Sequence, residues 1–474
     1  MPLTIREVGI VPSVDRFVST DRLLRHIAIL GLLVAFTIAT SIIIYFLAIH
    51  YGHPTRFPSS DPHVGFQGDS GGRDTMDIVV SCATTLITCI YTSVHFDVPR
   101  SYAHRLASWP KRLRSHDFWL ELWTKVSFWM LGVFSPEMLV LHAFYEYKIA
   151  RRDVVWMHEH GYTDWSLTLS FAADMGALIV QLPGRDAHPV RSGFALHHLM
   201  LWHRDPSTLD CKALEYELAD RTKADVLVKV ITTMQIVRFF LGVVARAVNR
   251  LPAAPLETVI CAYVGCTLVY YTLWLYKPYN VNERIVVRLS PMLSRARPIS
   301  EPASSVDGDA AQPPPRKWTR PLRALWAKAS SLFCEPHMSD HDRLHGSVRM
   351  HQLSPYVTEG SLLGAVASLV VGLAHMACWN VEFPNSNGQP LWRYCTLAVV
   401  VLPIVTAAII LGAAKIQRTW VTEAMNMCSL SMIVVYSIAR IVLLILLGHS
   451  FQSLPARVYD TQGVSWLSLI PFIH

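Results

Sequence analysis

The feature that most constrains this chain is a recurring run of roughly 20 apolar residues without strong two-fold alternation, the length a helix needs to cross a ~30 Å hydrocarbon layer. Seven runs are clear, at residues 27–49, 76–96, 126–147, 226–248, 256–276, 361–379 and 391–414. An eighth, 425–448, carries Arg440, and a ninth, 164–182, is interrupted by Asp174 and several polar residues. A closed β-barrel is excluded, because its strands would alternate and be about half as long. Composition agrees: 52% of the 474 residues are apolar and 16% charged, at a mean hydropathy of +0.31, whereas a soluble domain carries about a quarter charged residues. The expected fold is therefore all-α, a polytopic transmembrane helix bundle of nine spans, or eight if segment 164–182 lies in the interface.

Arg16, Arg22 and Arg25 precede the first run, as in a signal peptide, but the run is long and lacks a small-x-small cleavage site. It reads as a retained first span. The nine cysteines are dispersed without a C-x-x-C pair or metal-site spacing. Cys378 and Cys395 flank one short loop, although helix-end positions rarely meet disulfide geometry.

In a membrane protein the location of Lys and Arg matters more than the net charge, here +7. The segment 277–349 is rich in both and is expected to be cytoplasmic, which puts the N-terminus inside and the C-terminus outside for nine spans. Segments 99–114 and 185–223 then also fall inside. Arg151 and Arg152 resist, since they would face outward. With eight spans the N-terminus moves outside and Lys111, Arg112 and Arg114 are exported instead.

Residues 298–318 hold Pro302, the triplet Pro313, Pro314 and Pro315, and paired serines, a composition too polar to build a core. The chain is accordingly read as a six-span front half (1–278), a basic, Pro/Ser-rich disordered tether (279–355) and a three-span back half with a tail (356–474). No internal repeat aligns, which counts against transporter folds built from duplicated halves. Within the tether a basic stretch with Trp318, Trp326 and Phe333 is suited to an anionic lipid surface.

Ionisable groups inside spans are costly and tend to mark function. Asp77 and His95 bracket the second run; Glu137 and His142 sit in the third, Asp174 in the fourth, Lys229, Arg238 and Arg246 in the fifth, His375 in the seventh and Arg440 in the last. Glu137 follows Pro136, which frees a backbone carbonyl and favours a kink. Glu137 and Asp174 are the candidate catalytic acids. Asp77, Tyr91, His95, Trp129, Arg238, Glu257, Trp274 and Arg440 are candidates for a surrounding pocket or charge network. The competing structural reading is a buried pair, Glu137 or Asp174 with Arg440, that fixes helix register. Arg246 reads as a snorkelling anchor.

His337, His341 and His345 recur every four residues and His197, His198 and His203 crowd another loop, but neither set has the paired spacing of a di-iron site. No Walker loop, dinucleotide fingerprint, G-x-S-x-G or H-E-x-x-H occurs. No metal, cofactor or nucleic-acid partner is expected.

From Arg73-Asp74-Thr75-Met76-Asp77 through Ser81-Cys82 and Cys89-Ile90-Tyr91-Thr92 to His95-Phe96-Asp97-Val98-Pro99, the sequence resembles a large family of fungal multi-pass membrane proteins of uncharacterised activity. The likeness continues at Ser135-Pro136-Glu137, Ala173-Asp174-Met175-Gly176, Lys223-Ala224-Asp225, Leu256-Glu257, Lys277-Pro278 and Tyr436 to Arg440. That family favours an aromatic residue where Arg238 stands and an acid after Arg440, where this chain has only Leu443 to Leu447.

Two functional classes follow. The first is a membrane-embedded enzyme acting on a lipophilic metabolite, comparable in architecture to the terpene cyclases of fungal meroterpenoid pathways. Glu137 or Asp174 would be its proton donor, and Tyr91, Trp129 and Trp274 would stabilise a developing cation by their ring faces. The second is a transporter or accessory membrane protein in which Glu137, Asp174 and Arg440 form a gating or structural network. The expected partners are the bilayer and a lipophilic small molecule, in an endomembrane such as the ER ahead of the plasma membrane.

Overall fold

A computed structural model describes residues 62–68, 73–98, 115–181, 188–202, 209–221, 225–279, 281, 283–288, 356–413 and 419–461. The first predicted span (27–49), the tether from residue 289 onward and the triplet His337, His341 and His345 lie outside them. Among the described residues the long helices are α1 (Thr75–Ser93), α2 (His116–Phe134), α3 (Pro136–Glu159), α7 (Asp225–Val248), α8 (Pro255–Leu273), α9 (Val357–Ala377), α10 (Gly388–Ala413) and α11 (Thr419–His449). Shorter helices are α4 (Leu167–Asp174), α5 (Gly193–Trp202) and α6 (Cys211–Arg221). Among the described residues five helices, α1 and α8 to α11, are long and apolar enough to cross a membrane, and six candidates result if the bent pair α2 and α3 counts as one. Several long apolar helices thus point to membrane association.

Two predicted spans are corrected. Run 126–147 is not one helix: it is broken at Ser135, where α2 and α3 meet at a bend of 119°. Segment 164–182 is α4, only 8 residues, followed by strand β2 (Leu178–Gln181). Eight helical residues rise about 12 Å, far short of a bilayer. Gly176, at φ +75°, supplies the left-handed turn between them, a conformation a side chain resists.

β2 pairs antiparallel with β3 (His188–Val190) and parallel with β4 (Ile285–Arg288). The beginning of the predicted tether is therefore a sheet strand. The end of α3, with α4 to α6, covers this sheet around Met157, Trp165, Leu169, Met175, Leu178, Leu196 and Ile285. Asp153 on α3 fixes the layer: its carboxylate accepts from the Gly193 and Phe194 amides at 2.9 and 3.2 Å and from Ser170 Oγ at 2.9 Å. Those amides belong to the first turn of α5, where a carboxylate satisfies orphan donors.

The larger core joins both halves of the chain, with Leu139, Val140 and Ala143 of α3 and Tyr263, Cys266 and Tyr270 of α8 against Val370 and Val371 of α9 and Ala439 and Leu443 of α11. Described residues from before and after the tether pack into this one core. Gly372 on α9 lets α10 approach closely; a Cβ there would lie 2.6 Å from Val400 Cγ2. Cys378 and Cys395 are free thiols. A last strand β5 (Leu454–Pro455) pairs with β1 (His63–Val64) and leads into a short turn of helix at Ala456–Tyr459.

Candidate polar site at the helix break

Ser135 (φ −151°, ψ 71°) ends α2 and Pro136 starts α3, where the missing proline N–H costs nothing. The turn leaves the last carbonyls of α2 inside an apolar core, and each buried polar group without a partner costs about 1–3 kcal/mol. Side chains from distant helices satisfy them. Tyr263 on α8 donates its hydroxyl to the Val133 carbonyl at 2.8 Å, and Arg440 on α11 donates Nε–H to the Phe134 carbonyl at 2.9 Å. Arg440 Nη2 also donates to the Tyr263 hydroxyl at 2.7 Å, and its guanidinium lies 5.5 Å over that ring.

His375 on α9 completes the set. Its Nδ1 lies 2.8 Å from the Val371 carbonyl, which can only accept, so Nδ1 carries the proton and Nε2 is the acceptor facing Arg440 Nη1 at 3.4 Å. Arg440 and His375 are almost wholly buried, at 1% and 0% exposure.

Glu137 occupies the first turn of α3, where the helix dipole favours a negative charge. It is 1% exposed. Tyr436 on α11 donates its hydroxyl to Oε1. Oε2 is buried and makes no hydrogen bond among the described residues. The expected direct pair with Arg440 is not formed; Arg440 is spent on Phe134, Tyr263 and His375. The arrangement holds one carboxylate oxygen rigidly and leaves the other free to carry a proton or meet a ligand's polar group.

The remaining candidates fall elsewhere. Asp174 ends α4 in the core of the α/β layer, where Arg191 Nη1 reaches its backbone carbonyl at 3.4 Å and Asp97 at 3.3 Å. Its chain neighbours Ala173 and Met175 belong to the core of the layer, whereas Glu137 sits at the helix break. Asp77 is exposed and forms a capping box with Asp74 at the start of α1. Tyr91 and Trp129 meet edge to face at 5.8 Å but are 53% and 37% exposed, on the outside of the bundle. They do not present ring faces to Glu137. Arg238 is half-buried on α7. Glu257 pairs with Arg73 and accepts from the Ala254 amide at 2.8 Å, closing the N-terminus of α8.

A second buried cluster uses Trp274 differently from the ring-face role expected of it. Trp274 Nε1 and Lys277 Nζ both donate to Glu146 Oε2 at 2.7 Å, while His142 Nε2 lies 3.2 Å from Oε1. The His95 ring lies against Trp274 and Tyr279 at 5.7 and 5.3 Å. Arg246 is 4% exposed and does not snorkel: it donates to the carbonyls of Pro252, Arg457, Val458 and Asp460.

Reading charges one run at a time missed Tyr263, Tyr436, Glu146 and Lys277. The i, i+4 spacings of Tyr436 with Arg440 and of His142 with Glu146 were the available signal. In the α/β layer, burial pushes the Cys211 thiol up to about 11, with the Asp164 and Asp210 charges adding to it. His197 there packs its ring against Trp156, His160 and Tyr162. Among the described residues no group of three or more His, Cys, Asp or Glu is placed to hold a metal ion.

No curated protein and no solved structure matches the chain. One family model does, over residues 41–308, a span that includes the helix break, Glu137, Glu146, Tyr263 and Lys277 and stops before the helices carrying His375, Tyr436 and Arg440. That match covers more than half of the sequence, and the chain accordingly belongs to the family of unknown function DUF8562.

Proposed function

We propose that this chain is a multi-pass protein of a fungal endomembrane that acts as a membrane-embedded acid catalyst on a lipophilic, terpenoid-like molecule. Glu137 is the proton donor. The observation that carries this reading is the state of its carboxyl group, buried in an apolar core with Oε1 held by Tyr436 and Oε2 unengaged among the described residues. A donor of this kind needs a fixed orientation and one oxygen facing the reacting atom. Protonation of an olefin or epoxide would leave a cation, and the hydroxyl-bearing rings of Tyr263 and Tyr436 are the aromatic groups attached to the site. Asp174, in its separate core, is the weaker candidate for the same role.

A second reading rests on the helix break itself. Half-helices ending inside a membrane bundle are how many transporters build binding sites, and Glu137 would then be a proton-coupling group. Deleting the gene and complementing with wild type, Glu137→Gln or Asp174→Asn separates the two. The catalytic reading expects an intracellular precursor to accumulate in the deletion and in Glu137→Gln at normal protein level. An unchanged intracellular profile with altered export or uptake would sink it in favour of transport.

A further inference from the structure

We infer that α2 and α3 form a re-entrant hairpin, inserted from and returning to the membrane face that carries the α/β layer, with Glu137 at its buried tip. The inference takes the long helices to cross a bilayer, as the proposed function does, and adds which side each end occupies.

The depth of the second half of α2 can be read from its neighbours on α1 and in the residues just after it. Gly132 lies against Ile90, Trp129 against Tyr91, and Phe128 against Phe96 at 6.0 Å. Lys125 Nζ lies 5.8 Å over the Phe96 ring. Moving back from the break toward the start of α2 therefore climbs α1 toward its C-terminal end. α3 leaves the break toward the same end: Glu146 meets Trp274 and Lys277 just past the end of α8, and Trp274 meets His95 just past the end of α1. The two arms also touch one another, Phe128 against His142 at 5.2 Å, across the break. A single bent span would separate these arms to opposite faces.

With the hairpin, the remaining helices alternate consistently. The ends of α1 and α8 and the start of α9, where Lys148 pairs with Glu359, lie at the layer face. α7 runs from α6 of the layer to Arg246, which meets the C-terminal strap at the opposite face. Among the described residues this gives six crossings, α1 and α7 to α11, and one hairpin. The described residues that flank segments 99–114, 185–223 and 277–349, and Arg151 with Arg152, then all lie on one face. That removes the conflict with the rule that Lys and Arg stay cytoplasmic, which both nine and eight spans violate. The outer side of α2, with Trp119, Leu122, Trp123 and Val126 exposed at i, i+3, i+4 and i+7, has the composition of a helix resting in the lipid interface of that face.

Three variants of the full-length protein, each with one added cysteine, test this: Ser115→Cys and His160→Cys at the two ends of the hairpin, and Ser386→Cys in the loop between α9 and α10. Each is made with Cys334 and Cys428 replaced by serine and probed with a membrane-impermeant maleimide in sealed vesicles of known orientation. The hairpin predicts that positions 115 and 160 label from one face and 386 only from the other. Labelling of 115 and 160 from opposite faces overturns it while leaving the membrane reading intact. Equal labelling of all three from one face overturns the membrane reading itself. Protease-site insertions at 115 and 160, cut in the same vesicles, give the same decision should a cysteine variant fold poorly.

Discussion

Tyr436 donates its hydroxyl to Oε1 of Glu137, tying the last long helix to the first turn beyond the break. One turn along α11, Arg440 caps the other side of the same break through the Phe134 carbonyl. The two side chains have different consequences when lost. Arg440→Met leaves both a buried carbonyl and a hydroxyl without their donor, each at about 1–3 kcal/mol, so it is expected to cost roughly twice the loss of one such bond. Tyr436→Phe removes one hydrogen bond and should cost about 1–3 kcal/mol. Thermal unfolding in detergent should therefore rank Arg440→Met well below Tyr436→Phe, and equal midpoints would contradict the capping role.

Glu146 and Lys277 are a second test of buried charge. Glu146→Gln or Lys277→Met alone should each destabilise by about 3–5 kcal/mol, since the surviving partner stays buried. The double variant should lose clearly less than the sum, with a coupling of about 0.5–3 kcal/mol. Strict additivity in denaturant titrations would mean that the pair contributes nothing as a pair.

At Gly372 the argument is steric. A methyl group there meets Val400 Cγ2 at 2.6 Å and the Val400 backbone at 3.3 and 3.4 Å, so Gly372→Ala must part α9 from α10. Overpacking of this kind costs about 1–3 kcal/mol. Gly372→Ala combined with Val400→Ala should recover part of the loss, and no recovery would place the strain elsewhere.

Cys211 supplies a pH-dependent readout outside the bundle. Burial first, and then the charges of Asp164 and Asp210, hold its thiol protonated to about 11, so the thiolate that reacts is scarce at neutral pH. Alkylation followed by mass spectrometry should be slow near neutrality and accelerate as pH rises toward that value. Asp164→Asn should shift the acceleration to lower pH. Rapid neutral labelling would mean that this thiol is neither buried nor surrounded by acids as described.

How much of this was legible depended on where the deciding contacts lie in the chain. Runs 76–96, 256–276, 361–379, 391–414 and 425–448 became α1 and α8 to α11, because apolar length is a local property. Run 126–147 announced a kink at Pro136 but not its size. The bend of 119° is tolerated because Tyr263 and Arg440, far along the sequence, supply donors to the freed carbonyls. Segment 164–182 looked like a weak span because hydropathy averages over a short helix, a glycine turn and a strand. The partner that makes Leu178–Gln181 a strand, Ile285–Arg288, is more than a hundred residues later. Glu137 was recognisable as a costly acid beside a proline; that Tyr436, not Arg440, would hold it was not, since i, i+4 spacing fixes a shared helix face and not the element it meets.

Arg246 donates to four carbonyls, three of them supplied by residues 457–460. During synthesis this guanidinium therefore waits, with most of its acceptors not yet made, until the chain has been elongated by more than two hundred further residues. A chain interrupted before residue 457 would leave the buried Arg246 guanidinium without three of its four carbonyl acceptors. The short strap at Ala456–Tyr459 thus ties the end of α7 to residues made far later in the chain.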